Sequence, residues 1–202
     1  MKHLLASVGG SRKCVTDILS EMSEITNTDQ SNILFRKPNS TDGNRVFKLI
    51  NECKPLDVNS MYCNLLQCSH FRDTAILAES QGQLAGFVSG YRVPEQPDVL
   101  FVWQVAVAPH ARGQGLASQM LARLIEQQGP LVRFVHTSIT AANEASWSTF
   151  RRLARDLDAE LATEVMFDQQ QHFDGAHATE TLVSIGPFAE TATPSLEPLE
   201  KQ

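Results

Sequence analysis

Val105-Ala106-Val107-Ala108-Pro109-His110-Ala111-Arg112-Gly113-Gln114-Gly115-Leu116-Ala117 is the stretch on which the fold turns. An apolar strand runs into a proline turn, then a glycine-containing loop, then an amphipathic helix. Gly113 and Gly115 let the backbone approach a ligand without a Cβ in the way. The first turn of the helix leaves amide N–H groups unpaired at its positive end, a ready site for phosphate, and Arg112 adds a charge. A Walker loop is excluded because no Gly-Lys-Ser/Thr follows. A dinucleotide fingerprint is excluded because Ser118 stands where the third glycine would be. The remaining alternative is a plain helix start with two turn glycines.

Working outward, the elements alternate. Ile33-Leu34-Phe35-Arg36-Lys37 reads as a strand ended by Pro38, and Ser40 or Thr41 can cap a helix with Val46, Phe47, Leu49 and Ile50 on its apolar side. A second helical segment spans about Ser60–Cys68. Thr74–Glu79 and Leu84–Tyr91 flank Ser80-Gln81-Gly82-Gln83 as a hairpin. A turn at Pro94–Pro97 leads into a long strand, Val99–Ala108. The helix after the loop runs from about Gly115 to Gln128, with Leu116, Met120, Leu121, Leu124 and Ile125 on one face, and Gly129-Pro130 stops it. Arg133–Ile139 is a strand, Asn143–Asp156 a helix, and Val165–Phe167 and Leu182–Ile185 close the order β-α-α-β-β-β-α-β-α-β-β. That is a mixed α/β plan.

The chain has 202 residues, enough for one domain with tails, and 42% hydrophobic content supplies a core. Residues 32–188 are expected to be the folded enzyme body. The polar stretch 1–31, with only a weak helical pattern at Val15, Ile18, Leu19 and Met22, reads as a mobile leader, and 189–202 as a disordered tail. Of the net charge of −6, half falls in those two stretches. An acidic chain argues against nucleic acid as partner. No apolar run reaches 18 residues, and the patch Leu4–Val8 is too short for a secretory signal, so no membrane span and a cytoplasmic location are expected. Cys14, Cys53, Cys63 and Cys68 form no C-x-x-C pair and read as free thiols rather than a disulfide framework or a zinc site.

Arg112-x-x-Gly115-x-Ala117 after a V-x-V-x-P strand end is similar to the pyrophosphate loop of the GNAT acyl-CoA-dependent N-acetyltransferases. Asn143, Ser146 and Phe150, following a strand, resemble that family's N-x-x-[A/S] helix. The resemblance implies a central, mostly antiparallel sheet with a splayed strand pair, flanked by helices. It also implies acetyl-CoA as co-substrate and no metal. More narrowly, Leu56–Leu66, Gly86–Arg92 and Pro97–Gln104 resemble the L-2,4-diaminobutyrate acetyltransferases of ectoine biosynthesis. That narrower resemblance implies acetyl transfer to the side-chain amine of diaminobutyrate, an osmotic-stress context and a homodimer. Other readings are a family member acting on another small amine or a protein N-terminus, or a non-catalytic acyl-CoA-binding protein.

The same resemblance implies roles for single residues. Val105 and Val107 offer backbone groups to the pantetheine and thioester, or are ordinary paired strand residues, while Arg112, Gly113, Gln114, Gly115, Leu116 and Ala117 hold the pyrophosphate beside Asn143 and Ser146. Asp57, Asn59 and Tyr62 fall where the acceptor site is built, Asp57 pairing with an ammonium and Tyr62 binding substrate or relaying a proton. The alternatives are a helix cap for Asp57 or Asn59 and a packed aromatic for Tyr62. Trp103 walls the acceptor pocket or is a core tryptophan. Glu180 is a second ammonium anchor and His177 a proton relay, or both are solvated. Many family members carry Tyr where this chain has Phe150, which has no proton to give, so any acid is Tyr62 or water. His70, His110, His136 and His172 show no ligand spacing.

Overall fold

The structure is a computed structural model that describes residues 33–54, 56 and 59–188. The expectations for residues 1–31 and 189–202, for Cys14 and for Asp57 lie outside the described residues. Seven strands form one sheet in the order β1-β2-β3-β4-β5-β7-β6. They are β1 (Ile33–Arg36), β2 (Ala75–Ser80), β3 (Gln83–Val93), β4 (Gln96–Val107), β5 (Phe134–Thr140), β6 (Leu161–Phe167) and β7 (Glu180–Ile185). Every neighbouring pair is antiparallel except β4 with β5.

Among the described residues there are five α-helices: α1 (Gly43–Glu52), α2 (Met61–Ser69), α3 (Leu116–Gln128), α4 (Glu144–Asp156) and the short, exposed α5 (Gln169–Phe173). Two apolar clusters mark the two faces. Leu116, Met120, Leu121, Leu124 and Ile125 of α3 and Phe150, Leu153 and Ala154 of α4 pack on Val88, Leu100, Val102, Val135, Ile139 and Val183. On the other face Val46, Leu49 and Ile50 of α1 pack on Leu77, Phe87, Ala106 and Ala108. Each fully buried leucine or isoleucine contributes about 2 kcal/mol by leaving water.

Several local expectations are corrected. The capping residue is Asn39, not Ser40 or Thr41, and it opens the 3-10 turn Ser40–Asp42 that runs into α1: its side chain accepts from the Thr41 amide at 2.9 Å, and Asp42 Oδ2 accepts from the Asn39 amide at 2.9 Å. That reciprocal pairing satisfies two amides at once. Pro97 lies inside β4 rather than in a turn. It falls in the irregularity between the Val93–Gln96 and Arg92–Leu100 pairs, where its missing N–H breaks no ladder bond. The hairpin turn itself is Gln81-Gly82, both at positive φ, as a two-residue hairpin loop requires. Helix α5 has no counterpart in the sequence reading; Asp168 starts it by accepting from the amides of Gln170 and Gln171.

The β1–β2 edge is clamped to α1 by charge. Arg36 holds Asp42 with both terminal nitrogens at 2.7 and 2.8 Å, and reaches Glu79 at 3.0 and 3.1 Å. Arg45 completes the group with Glu79 Oε1 at 2.6 Å. The hydrogen bonds from Arg36 hold both carboxyls below the usual carboxylate range, and the Asp42 side chain is 4% exposed.

Candidate active site

The parallel pairing of β4 with β5 is confined to Val99–Phe134, Leu100–Val135 and Phe101–His136. One further link joins the strands, Thr137 Oγ1 donating to Val102 O at 3.0 Å. Beyond it β4 runs on to Val107 and β5 to Thr140 without pairing, so a V-shaped gap opens at their C-terminal ends. The Ala108 amide donates to Ala85 O on β3 at 2.9 Å. Strand alternation therefore turns Ala106 toward β3, and the backbone groups of Val105 and Val107 into the gap. Val107 O instead accepts from Arg112 Nε at 3.1 Å and from Cys53 Sγ at 3.2 Å. The side chains of Val105 and Val107 lean on the α3–α4 cluster.

At the end of β4 the loop enters α3. Gly113 and Gly115 have φ of 76° and 73°, and nothing lies within 4 Å of where either Cβ would be. The left-handed backbone favours glycine, and the open space gives a ligand direct access to the main chain. Among the described residues the amides of Gly113, Gln114, Gly115, Leu116 and Ala117 have no acceptor. Convergent free amides at the positive end of a 13-residue helix are a site for a polyanion. The loop thus fits the pyrophosphate of a coenzyme A-type group. Gln114 turns its side chain back to His110 O at 3.4 Å.

Helix α4 begins beside β5. Asn143 Oδ1 accepts from the Ser146 amide at 3.1 Å, so its side chain caps the helix. Phe150 is 2% exposed and packs in the α3–α4 core.

The other face of the sheet carries the remaining candidates. A β-bulge in β4 separates the pairs Ser89–Gln104 and Gly90–Val102, leaving Trp103 as the extra residue. Gly90 is required there, because a Cβ would collide with Phe101 O. The bulge pushes Trp103 out of the sheet: it is 44% exposed, edge-on to Tyr91 at 6.5 Å, and not a core residue. Gln104, which sequence reasoning missed, is turned inward, 8% exposed, and accepts from Asn59 Nδ2 at 3.3 Å. Asn59 directly precedes Ser60, whose Oγ accepts from the Cys63 amide at 3.1 Å and caps α2. The cap of α2 is therefore Ser60 and not Asn59. Tyr62 in the first turn is 70% exposed, so it is not a packed aromatic.

His177 and Glu180 come together across the gap from β4. Glu180 pairs in register with Thr140, the last residue of β5. His177 Nε2 lies 3.9 Å from Glu180 Oε1, and its ring sits 4.8 Å from that of Phe173. By strand alternation the side chain of Glu180 shares its sheet face with His136 and Ser184, whose Nε2 and Oγ are 3.0 Å apart, away from α3 and α4. The structure thus joins the loop to Val105 and Val107 at the end of β4; Asn59 meets Gln104 next to the Trp103 bulge, and His177 meets Glu180 at the start of β7. Among the described residues no group of three or more His, Cys, Asp or Glu can hold a metal, and no helix is long and apolar enough to cross a membrane.

Residues 44–154 match the model of the "Acetyltransferase (GNAT) family". An L-2,4-diaminobutyric acid acetyltransferase from Methylotuvimicrobium alcaliphilum is 51% identical over 160 residues, 77% of this chain and 91% of that protein. The protein of the same name from Vibrio parahaemolyticus is 46% identical over 75% of this chain and 84% of its own length. Among solved structures, the diaminobutyrate acetyltransferase EctA from Paenibacillus lautus, in complex with L-2,4-diaminobutyric acid and coenzyme A, superimposes with a TM-score of 0.75 at 38% identity. That match covers 81% of this chain and all of that one. The loading GNATL domain of CurA from Lyngbya majuscula, at 13% identity and a TM-score of 0.62, shares the fold alone. With its splayed β4–β5 pair and amide-lined loop, this chain belongs to the GNAT acetyltransferase family, in the branch of the diaminobutyrate acetyltransferases.

Proposed function

We propose that the protein transfers the acetyl group of acetyl-CoA to the side-chain (γ) amine of L-2,4-diaminobutyrate, giving the N4-acetyl product, a step of ectoine biosynthesis. The observation that carries this reading is 51% identity across 91% of a relative with that activity in its name. The EctA complex with diaminobutyrate and coenzyme A supports both substrates. Residues 32–188 are the catalytic domain in this reading. A cytoplasmic homodimer serving osmotic stress is its cellular setting.

Bound acetyl-CoA supplies an activated acyl group as a thioester. The amides of the Gly113–Ala117 segment neutralise the pyrophosphate, with Arg112 at the rim and Asn143 and Ser146 alongside. Val105 and Val107 place backbone N–H and C=O groups in the gap. There a fixed donor polarises the acyl carbonyl as charge develops on its oxygen. The amine arrives from the opposite face, where Trp103 is a wall and Asp57, Asn59 and Glu180 anchor the cationic amino acid.

An alkyl ammonium has a pKa of roughly 10, so only about one molecule in a thousand is nucleophilic at pH 7. Proton removal is therefore part of the task, and in this reading His177, 3.9 Å from Glu180, relays that proton. The nitrogen lone pair forms the new C–N bond as the C–S bond breaks. The departing sulfur takes a proton from Tyr62 or from water, since Phe150 is sealed in the core and has none.

A panel of amines with acetyl-CoA, read by thiol release, tests the assignment. Diaminobutyrate should exceed polyamines, lysine and amino-terminal peptides in kcat/KM. Faster turnover of any of these would overturn it, and absence of thiol release with every amine would leave a non-catalytic acyl-CoA-binding protein.

A further inference from the structure

The floor of the acceptor face is apolar around Phe87, Ala106 and Ala108, yet Gln104 is buried in it. A primary amide in such a place costs free energy unless its polar atoms are engaged. Gln104 Oε1 is engaged by Asn59, a residue 45 positions earlier in the chain. Its partner across the strand pair is Ser89, whose hydroxyl is fully buried and has no hydrogen-bond partner among the described residues. The polar patch therefore sits at the one point where the bulge separates Trp103 from the ladder. Above it, Asn59 leads directly into the Ser60 cap of α2, one turn from Tyr62.

We propose that Gln104 is a positioning residue for the acceptor: its hydrogen bond to Asn59 pins the start of α2 over the Trp103 bulge and so sets the separation between Tyr62 and Trp103. This deepens the acetyltransferase reading and rests on it. Trp103 and Tyr62 are both exposed and belong to different elements. Among the described residues the Asn59–Gln104 bond is a side-chain tie between the approach to α2 and β4. Cutting it frees the entrance without touching the Gly113–Ala117 loop at the far end of β4.

The test is steady-state kinetics on the full chain with both substrates varied, for Gln104→Leu, Asn59→Ala and the double variant. Each single change should raise the KM for diaminobutyrate about tenfold, with the KM for acetyl-CoA unchanged. The double variant should be no worse than the more affected single one, because both cut the same bond. A purely structural role would lower the melting temperature and move both KM values together. That pattern, an acceptor KM within about twofold of the parent, or multiplying effects in the double variant would overturn the proposal. Gln104→Met keeps the length of the side chain, removes the oxygen that accepts from Asn59, and carries the test if Gln104→Leu fails to fold, because Asn59 itself faces the substrate in the mechanism above. A parent protein that does not acetylate diaminobutyrate would instead sink the functional reading, a result visible before any variant is made.

Discussion

Phe101 and His136 are the last residues at which β4 and β5 pair, and beyond them the two strands part. An antiparallel sheet broken at its one parallel join exposes main-chain donors and acceptors without exposing a sheet edge to solvent at large. The residues that turn backbone groups into the gap are Val105 and Val107, and of these Val107 O is already held by Arg112 and Cys53. Replacing Val105 by proline removes the N–H that faces the gap and leaves the β3 ladder intact, whereas Ala106→Pro removes a ladder donor. Val105→Pro should therefore lower kcat by about 10²–10³, the usual effect of losing one preorganised donor, with a modest change in melting temperature. Ala106→Pro should lower stability more. Kinetics and thermal melts on the pair separate the two, and equal behaviour would remove Val105 from the site.

The loop before α3 makes a second prediction. Gly115 has φ of 73° with open space around its Cβ position, so an alanine there meets no protein atom. Its cost is the left-handed backbone, about 1–2 kcal/mol. For a chain of this size each kcal/mol lowers the melting temperature by roughly 2–4 °C. The added methyl also stands where a pyrophosphate would approach the amides. Gly115→Ala should thus raise the KM for acetyl-CoA and leave that for diaminobutyrate unchanged. A variant with only the thermal effect would make the glycine a turn residue and nothing more.

Phe150 is at the position where the family resemblance suggested an acid, and its burial decides what restoring one would do. Phe150→Tyr inserts a hydroxyl into a site 2% exposed among Leu and Ala side chains. An unpaired buried hydroxyl costs about 1–3 kcal/mol. The substitution should destabilise without raising kcat. Tyr62 is exposed instead, and Tyr62→Phe should alter the alkaline limb of the pH–rate profile. An unchanged profile would leave water as the proton donor to sulfur.

Much of this was legible in the chain. The glycine loop and the apolar face of α3 are local patterns, and they landed within a residue or two of the structure. Asn143 was legible as a helix start because Asn is a strong cap and its partner, Ser146, is three residues away. The Gln104–Asn59 and Arg36–Glu79 pairs were not, since partners 45 and 43 residues apart leave no spacing to read. Trp103 was ambiguous for a related reason: an aromatic in a long apolar strand reads as core until a bulge turns it outward. Helix α5 has no apolar periodicity, and only Asp168 at its cap hinted at it.

The Arg36 clamp gives the last prediction, with its sign fixed by the carboxyl groups it holds. Asp42 and Glu79 are depressed below 3.8 and 4.5, mainly by hydrogen bonds from Arg36, so the unfolded chain binds protons that the folded chain does not. Their stabilisation is present above those ordinary values and is lost as pH falls through the lower folded values. In Arg36→Met the Asp42 carboxylate stays buried, left with the Asn39 amide at 2.9 Å and the longer contact from Arg45 at 3.3 Å. Breaking such a pair costs about 3–5 kcal/mol near neutral pH, less the share that Arg45 still provides. Protonation removes the uncompensated charge, so the deficit should narrow as the pH is lowered from about 7 toward about 4. Denaturant melts of both proteins across that range measure it. A deficit that stays constant with pH would mean that Arg36 acts through the packing of its stem rather than through its charge.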